Sequence, residues 1–322
     1  MDKIQVGIFF QDTQSRLKIR LANSPKGLVR DIPHKDIHRP GLALAGFLEL
    51  FTYDRVQVLG NTEIRYLRSL SDFARKESLR KFFQFDIPCI IVSNSNEMPP
   101  ELPAMADEAS VAIFSTPFST TELTHLLSDY LDHKFAPSQI VHASLVDVYG
   151  TGLLFTGRSG IGKSEIALDL VERGHRLVSD DVVTLTRTAD NVLIGHGSEL
   201  LKHFMEIRGV GIIDVGRMFG VRAIRQQKRV ETEVELVDWS DEQNYERTGL
   251  DEHAKEYLGV TIPHVQLPIF PGKNITVIAE TIALNLHLKV YGYHPAKEFG
   301  RALSDSMKTR TQLESYLEKD FE

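Results

Sequence analysis

The segment 153–181, LLFTGRSGIGKSEIALDLVERGHRLVSDD, constrains the fold more than any other part of the chain. A short apolar run, Leu153, Leu154 and Phe155, has the length of a buried strand. It is followed by Gly157, Arg158, Ser159, Gly160, Ile161, Gly162, Lys163 and Ser164, which satisfy G-x-x-x-x-G-K-[ST] at every fixed position. From Glu165 the period turns helical, with Ile166, Ala167, Leu170 and Val171 on one face and Glu165, Asp169 and Glu172 on the other. Gly174 stands where a helix C-cap glycine belongs.

The chemistry of a phosphate cradle needs these residue types. Gly157, Gly160 and Gly162 let the backbone turn tightly, so that successive N–H groups converge on anionic oxygens. The amino end of the following helix adds to that field. Lys163 can reach the outer phosphates, and the Ser164 hydroxyl can ligate Mg²⁺. A bound nucleoside triphosphate is therefore expected, but the loop alone does not say where its phosphate goes.

The 322 residues suffice for two units, each with its own core. The expected architecture is α/β in both, because apolar strand-length runs alternate with helical periods. A first unit is expected over 1–132, a linker over 133–139 around Pro137, and a second unit over 140–322. In the first, Ile4, Val6, Ile8, Phe9 and Phe10 suggest an opening strand. An apolar helix is expected over 42–51, strands over 55–60, 88–92 and 111–114, and helical stretches over 62–83 and 121–131. In the second, Val230, Thr232, Val234 and Leu236 alternate with Glu231, Glu233 and Glu235, the pattern of a half-exposed strand. A hairpin is expected around residues 189–191, a late helix after Lys273, and a charged helical tail from about Ser304.

A net charge of −7 argues against nucleic acid or an anionic membrane as the main partner. Arg217, Arg222, Arg225, Lys228 and Arg229 still form either a local basic patch or a solvated segment. No apolar run reaches the roughly 18 residues of a membrane span, and the start carries no secretory-signal pattern. Cys89 is the single cysteine; an internal disulfide is excluded and a cytoplasmic setting is expected. Its place before Ile90, Ile91 and Val92 makes it a core residue rather than a nucleophile.

Two further constellations can carry chemistry. Asp180 and Asp181 end the apolar stretch after the loop helix, where a carboxylate can serve as metal ligand or as base toward an attacking hydroxyl. The decapeptide MEIRGVGIID at 205–214 places Glu206 where it can complete an oxygen shell around Mg²⁺, or pair with Arg208 instead. His142, Arg247 and Lys273 are singletons that spacing alone would not select.

Taken together, these motifs resemble the HPr kinase/phosphorylase family. The resemblance rests on RPGLALAG at 39–46, RVQVLGNTE at 55–63, His142 with LVDVYG at 145–150, the glycine loop, Ser179-Asp180-Asp181 and MEIRGVGIID. It implies an ATP-dependent protein serine kinase that phosphorylates the phosphocarrier protein HPr, can reverse the reaction by phosphorolysis, and regulates carbon metabolism. It implies ATP at 157–164, with Ser164 and Glu206 as Mg²⁺ ligands. Asp181 is implied as base in the forward direction and acid in reverse, with His142, Lys163 and Arg247 as further active-site residues. It also implies a homohexamer, a regulatory first unit and a kinase unit similar to phosphoenolpyruvate carboxykinase. Three positions depart from the family's pattern: Ala143 for a glycine, Arg158 for an acidic residue and Phe270 for an arginine. Two other readings stand beside it, a nucleotide-gated binding module that transfers nothing and a small-molecule kinase.

Overall fold

The protein, seen in a computed structural model that describes residues 3–188, 190–198, 203–240, 253–270 and 272–319, divides into two units, Met1–Ala136 and Pro137–Glu322. Both are α/β.

The first unit contains strands β1 (Ile4–Gln5), β2 (Arg20–Leu21), β3 (Asp31–Ile32), β4 (Ile37–His38), β5 (Val56–Leu59), β6 (Cys89–Val92) and β7 (Ala112–Ser115). Its helices are α1 (Val6–Thr13), α2 (Gly41–Leu44), α3 (Asn61–Ser69), α4 (Asp72–Phe82), α5 (Glu101–Glu108) and α6 (Thr120–Lys134). The main sheet runs β2-β7-β6-β5-β4, with β4 to β7 parallel. Strand periodicity sorts its residues onto two covered faces. Val56, Val58, Cys89, Ile91 and Phe114 pack with Phe9 of α1 and Leu127 of α6. Leu59, Ile90, Val92 and Ile113 pack with Leu67, Phe82 and Leu102 of α3, α4 and α5. Cys89 is fully buried, and burial pushes its thiol pKa up, which keeps it inert.

Three expectations change here. The opening strand stops at Gln5, because Val6, Phe9 and Thr13 are buried at helical spacing while Ile8 is exposed. The helix expected over 42–51 is only Gly41–Leu44; Gly46, at φ +99°, turns the chain out of it. The helical stretch 62–83 is two helices, and Ser71 starts the second by accepting a hydrogen bond from the Ala74 N–H at 3.3 Å.

The second unit holds β8 (Ser138–His142), β9 (Ser144–Val148), β10 (Thr151–Thr156), α7 (Lys163–Glu172), β11 (Arg176–Ser179), β12 (Val182–Arg187), β13 (Leu193–His196), β14 (Phe204–Ile207) and β15 (Gly211–Asp214). It continues with α8 (Val215–Phe219), β16 (Gln227–Arg229), β17 (Thr232–Asp238), β18 (His253–Tyr257), β19 (Val260–Ile269), α9 (Ile275–Val290) and α10 (Pro295–Lys319). One sheet runs β11-β9-β10-β17-β19-β18, with β10, β17 and β19 parallel. A second, antiparallel sheet runs β16-β13-β12-β8. The β9–β10 hairpin turns at Tyr149 and Gly150, at φ +50° and +85°, the backbone of a two-residue primed turn. Gly174 caps α7 at φ +97°, its N–H donating to Val171 O at 2.9 Å.

Strand β17 is not half-exposed, despite its alternation. It lies inside the six-stranded sheet, and Glu233 is 2% exposed. The carboxylate is satisfied rather than solvated: its oxygens accept from Thr156 Oγ1 at 2.6 Å and Tyr257 OH at 3.0 Å and meet His264 Nδ1 at 3.1 Å. Thr156 immediately precedes the glycine loop, so this buried carboxylate anchors the end of the strand that delivers it.

Helix α9 docks on α7 through Ile275, Ala279 and Ala283, which share a cluster with Leu170. A polar tie accompanies that contact: Glu280 accepts from Arg173 Nε at 2.8 Å and Nη2 at 2.5 Å and meets His175 Nε2 at 3.0 Å. Arg173, opposed by burial and helped by His175, holds the Glu280 carboxyl at about 2, down from 4.5. A depressed folded-state pKa stabilises above the unfolded value, so this contribution is complete above pH 4.5 and is lost as pH falls toward 2. Truncating one partner of a buried pair costs about 3–5 kcal/mol. Arg173 remains half-exposed, so Glu280→Ala is expected to cost about 2 kcal/mol in urea unfolding at pH 7. The difference from the unsubstituted protein should shrink between pH 4.5 and 2.

Candidate phosphoryl-transfer site

Strands β10, β17 and β19 end at one edge of their sheet, the edge where open parallel sheets place ligands. The loop 157–164 leaves β10 there. Gly157 has no room for a side chain, since a Cβ would lie 2.5 Å from Leu236 O on β17. Gly160 and Gly162, at φ +77° and +110°, turn the loop into the first turn of α7. Lys163 Nζ donates to Gly157 O at 3.1 Å and Arg158 O at 3.2 Å, so the ammonium lies inside the loop. Arg158 does not add to that charge. Its guanidinium forms a two-bond fork with Asp238 at the end of β17, Nε to Oδ2 at 2.6 Å and Nη2 to Oδ1 at 2.8 Å.

Asp180 follows β11, and its Oδ1 accepts from Ser144 Oγ at 2.5 Å. Oδ2 is buried without a hydrogen bond of good geometry. Burial raises the Asp180 pKa, against the opposing Ser144 and Ser164 hydroxyls. Ser164, in the first turn of α7, thus lies near this carboxylate. Asp181 is exposed and holds a left-handed backbone at φ +62°, a strained arrangement that clusters at functional sites. Its carbonyl accepts from the Ala143 N–H at 3.2 Å. His142 is the β8 partner of Val182, so the register sets it beside Asp181, and it is exposed. Loop, aspartate pair and His142 therefore come together from separate strands.

The decapeptide 205–214 is a hairpin of β14 and β15. Met205 is buried and Ile207 partly so, both in the cluster that contains Ile166 and Ala167 of α7, while Glu206 is exposed. No Glu206–Arg208 ion pair forms. Arg208 lies on the glycine loop instead: a Cβ on Gly160 would meet its Nη2 at 2.5 Å. Lys273 Nζ donates to Pro268 O at 3.1 Å, and burial lowers its pKa. Arg247 lies outside the described residues. The basic segment is largely neutralised within the unit, by Arg217–Asp214 at 3.2 Å, Arg225–Asp147 at 2.6 Å and Lys228–Glu231 at 2.8 Å. Ser144 and Glu233 were not foreseen as parts of this region, because their roles depend on strand register and no motif marks them.

Mg²⁺ keeps substrate phosphates and water among its ligands and uses one or two carboxylates, so it needs no all-protein cage. Among the described residues no group of three or more His, Cys, Asp or Glu side chains forms one. The orphaned Asp180 Oδ2 beside the Ser164 hydroxyl is an oxygen donor set of the kind Mg²⁺ uses.

Fold and loop define a P-loop α/β protein with a second α/β unit before it. The model of the HPr Serine kinase N terminus matches residues 4–131, and that of the HPr Serine kinase C-terminal domain matches 133–303. The HPr kinase/phosphorylase of Chloroherpeton thalassium is 52% identical over 328 residues, covering 99% of this chain and 96% of that protein. That of Prosthecochloris aestuarii is 50% identical over 325 residues, covering 98% and 96%. The solved Hpr(Ser) kinase/phosphatase from Coxiella burnetii is 36% identical, with a TM-score of 0.45, covering 50% of this chain and 98% of that one. The chain belongs to the HPr serine kinase family. Among the described residues no helix is long and apolar enough to cross a membrane.

Proposed function

We propose that this protein is an ATP-dependent serine kinase of the phosphocarrier protein HPr, with the reverse phosphorolysis of phosphoserine-HPr as a second activity. The observation that carries the reading is the junction of the loop 157–164 with Asp180 and the left-handed Asp181, inside a chain of this family. ATP binds with its phosphates on the loop amides and Lys163. The exposed Asp181 takes the proton of the serine hydroxyl; the serine oxygen bonds to the γ-phosphorus as the bond to the β-phosphate oxygen breaks, and ADP leaves. His142, beside Asp181, orients or supports that carboxylate, and Arg247 belongs to the same proposed set. Ser164, Glu206 and Asp180 are the residues that would hold Mg²⁺, which neutralises phosphate charge when bound. In reverse, Asp181 returns the proton. Phe270 in place of the family's arginine leaves Lys273 as the cation of that loop and weakens phosphorolysis, because a phenyl ring offers no hydrogen-bond fork to phosphate. A homohexamer, a cytoplasmic setting and a regulatory first unit, separated from the kinase unit near 133–139, complete the reading.

One labelling experiment tests it. With γ-labelled ATP and purified HPr, label should appear on an HPr serine, and phosphorolysis followed in the same mixture should be slower than transfer. Label on a small molecule, or on nothing while ATP still binds, overturns the assignment.

A further inference from the structure

Beyond the phosphate loop, the same sheet edge carries two partly exposed aromatic rings. Trp239 follows the end of β17 and Phe270 follows the end of β19; they are 45% and 39% exposed. Their ring centroids lie 5.1 Å apart at 65°, an edge-to-face pair. The Trp239 N–H donates to Ile269 O at 3.3 Å, which continues the β17–β19 ladder one step past the strands. Lys273 Nζ stands 5.2 Å from the Phe270 ring centroid. Large aromatic surface left half in water beside a polar loop is placed for contact rather than for the core.

The pair is fixed to the loop. Arg158, the second loop residue, grips Asp238 with both fork nitrogens, and Asp238 is the residue before Trp239. Strand β17 is the direct neighbour of β10, and β19 is the next strand. The rings therefore stand one and two strand spacings from the loop, about 5 and 10 Å along the sheet. A ribose-linked triphosphate covers such a span, which leaves its base at the rings. Partly exposed aromatic rings beside the Lys273 ammonium suit a nucleobase, whose stacking on an aromatic side chain is sequence-tolerant and strong. A segment of the protein substrate, whose serine must also reach the loop, is the competing occupant, and the test below separates the two.

We infer that Trp239 and Phe270 form the base-stacking subsite for the nucleotide, positioned by the Arg158–Asp238 pair. The inference rests on the proposed ATP-dependent reading and adds where the base sits. Trp239 is the only tryptophan in the chain, so its fluorescence reports on this position alone.

The test compares ATP with inorganic tripolyphosphate, which has the phosphates and no base, on the full chain. ATP should quench the Trp239 emission and tripolyphosphate should not, with both binding events measured by calorimetry. Trp239→Ala and, independently, Phe270→Ala should each weaken ATP by about tenfold and leave tripolyphosphate unchanged, while Trp239→Phe should retain most of the affinity. Variants that bind tripolyphosphate normally are shown to be folded by that result. Unchanged ATP affinity in both alanine variants overturns the subsite, and a raised KM for the protein substrate alone would assign the rings to that partner. Equal loss of both ligands also overturns it, since the rings would then be supporting the loop. Failure of the unsubstituted protein to bind either ligand would overturn the ATP-dependent reading itself, together with the subsite.

Discussion

Lys163→Ala is expected to lower turnover by about a thousandfold or more with saturating ATP. The ammonium lies inside the loop, within 3.1 and 3.2 Å of the Gly157 and Arg158 carbonyls, on the site where the outer phosphates would sit. In phosphoryl transfer the protein contributes mainly position and charge, so removing a cation aimed at the transferring group is felt in the transition state. No other side chain of the loop replaces it, because Arg158, its only other cation, is committed to Asp238. The alanine also removes two hydrogen bonds that brace the loop. Lys163→Met, which keeps most of the side-chain volume but neither the charge nor the two donors, separates lost packing from the loss of the ammonium, and both variants should fail alike if the ammonium dominates. Single-turnover transfer to HPr measures this, and near-normal rates in either variant would remove Lys163 from the mechanism.

The glycine loop was legible because its motif specifies backbone angles directly. Gly157 must lack a Cβ to approach Leu236, and Gly160 and Gly162 sit at positive φ, so the residue types encode the shape. The same holds for the Gly174 cap. The parallel strands of the first unit were legible as continuous apolar runs, which occur when both faces of a sheet are covered. The place of the aspartate pair was legible, since it directly follows the apolar strand after the loop helix, and the structure sets Asp180 and Asp181 between β11 and β12.

What escaped depends on partners far away in the chain. The alternation of β17 is the ordinary mark of one wet face, yet Glu233 is buried because Thr156, Tyr257 and His264 arrive from three other places to satisfy it. Nothing within residues 230–236 encodes those partners. Ser144 reaches Asp180 only through the pairing of β9 with β11, where a bulge shifts the register between Leu177 and Ser179. Arg208 was weighed as a partner of Glu206 because the two are neighbours in sequence. Two residues apart they would share a face of a strand, but β14 ends at Ile207, and the hairpin turn carries Arg208 to Gly160 instead. The first helix escaped for a related reason: β-branched and aromatic residues favour strands locally, but the burial of Val6, Phe9 and Thr13 decides the outcome.

Asp181→Asn is expected to leave ATP binding intact and to slow phosphoryl transfer by about 10²–10⁴-fold, the usual worth of a general base. The substitution is a clean one for a structural reason. Asp181 holds φ +62°, a conformation that asparagine tolerates as well as aspartate, whereas alanine would add backbone strain to the chemical loss. The Asp181 carbonyl, which accepts from Ala143 N–H, is untouched by the exchange. An amide cannot accept the serine proton, so the transfer step alone should suffer. Asp180→Asn provides the contrast. That carboxylate is only partly exposed and accepts from Ser144, whereas Asp181 is exposed, so Asp180 is the less accessible of the two to a protein substrate. Its loss should raise the Mg²⁺ concentration needed for half-maximal activity, with a smaller effect on transfer once Mg²⁺ saturates. Titrating both variants with Mg²⁺ under single-turnover conditions distinguishes the roles. If Asp180→Asn is the slower enzyme at saturating Mg²⁺ and Asp181→Asn the one rescued by added metal, base and ligand are interchanged. The left-handed strain at Asp181 would then serve only to let the chain turn between β11 and β12.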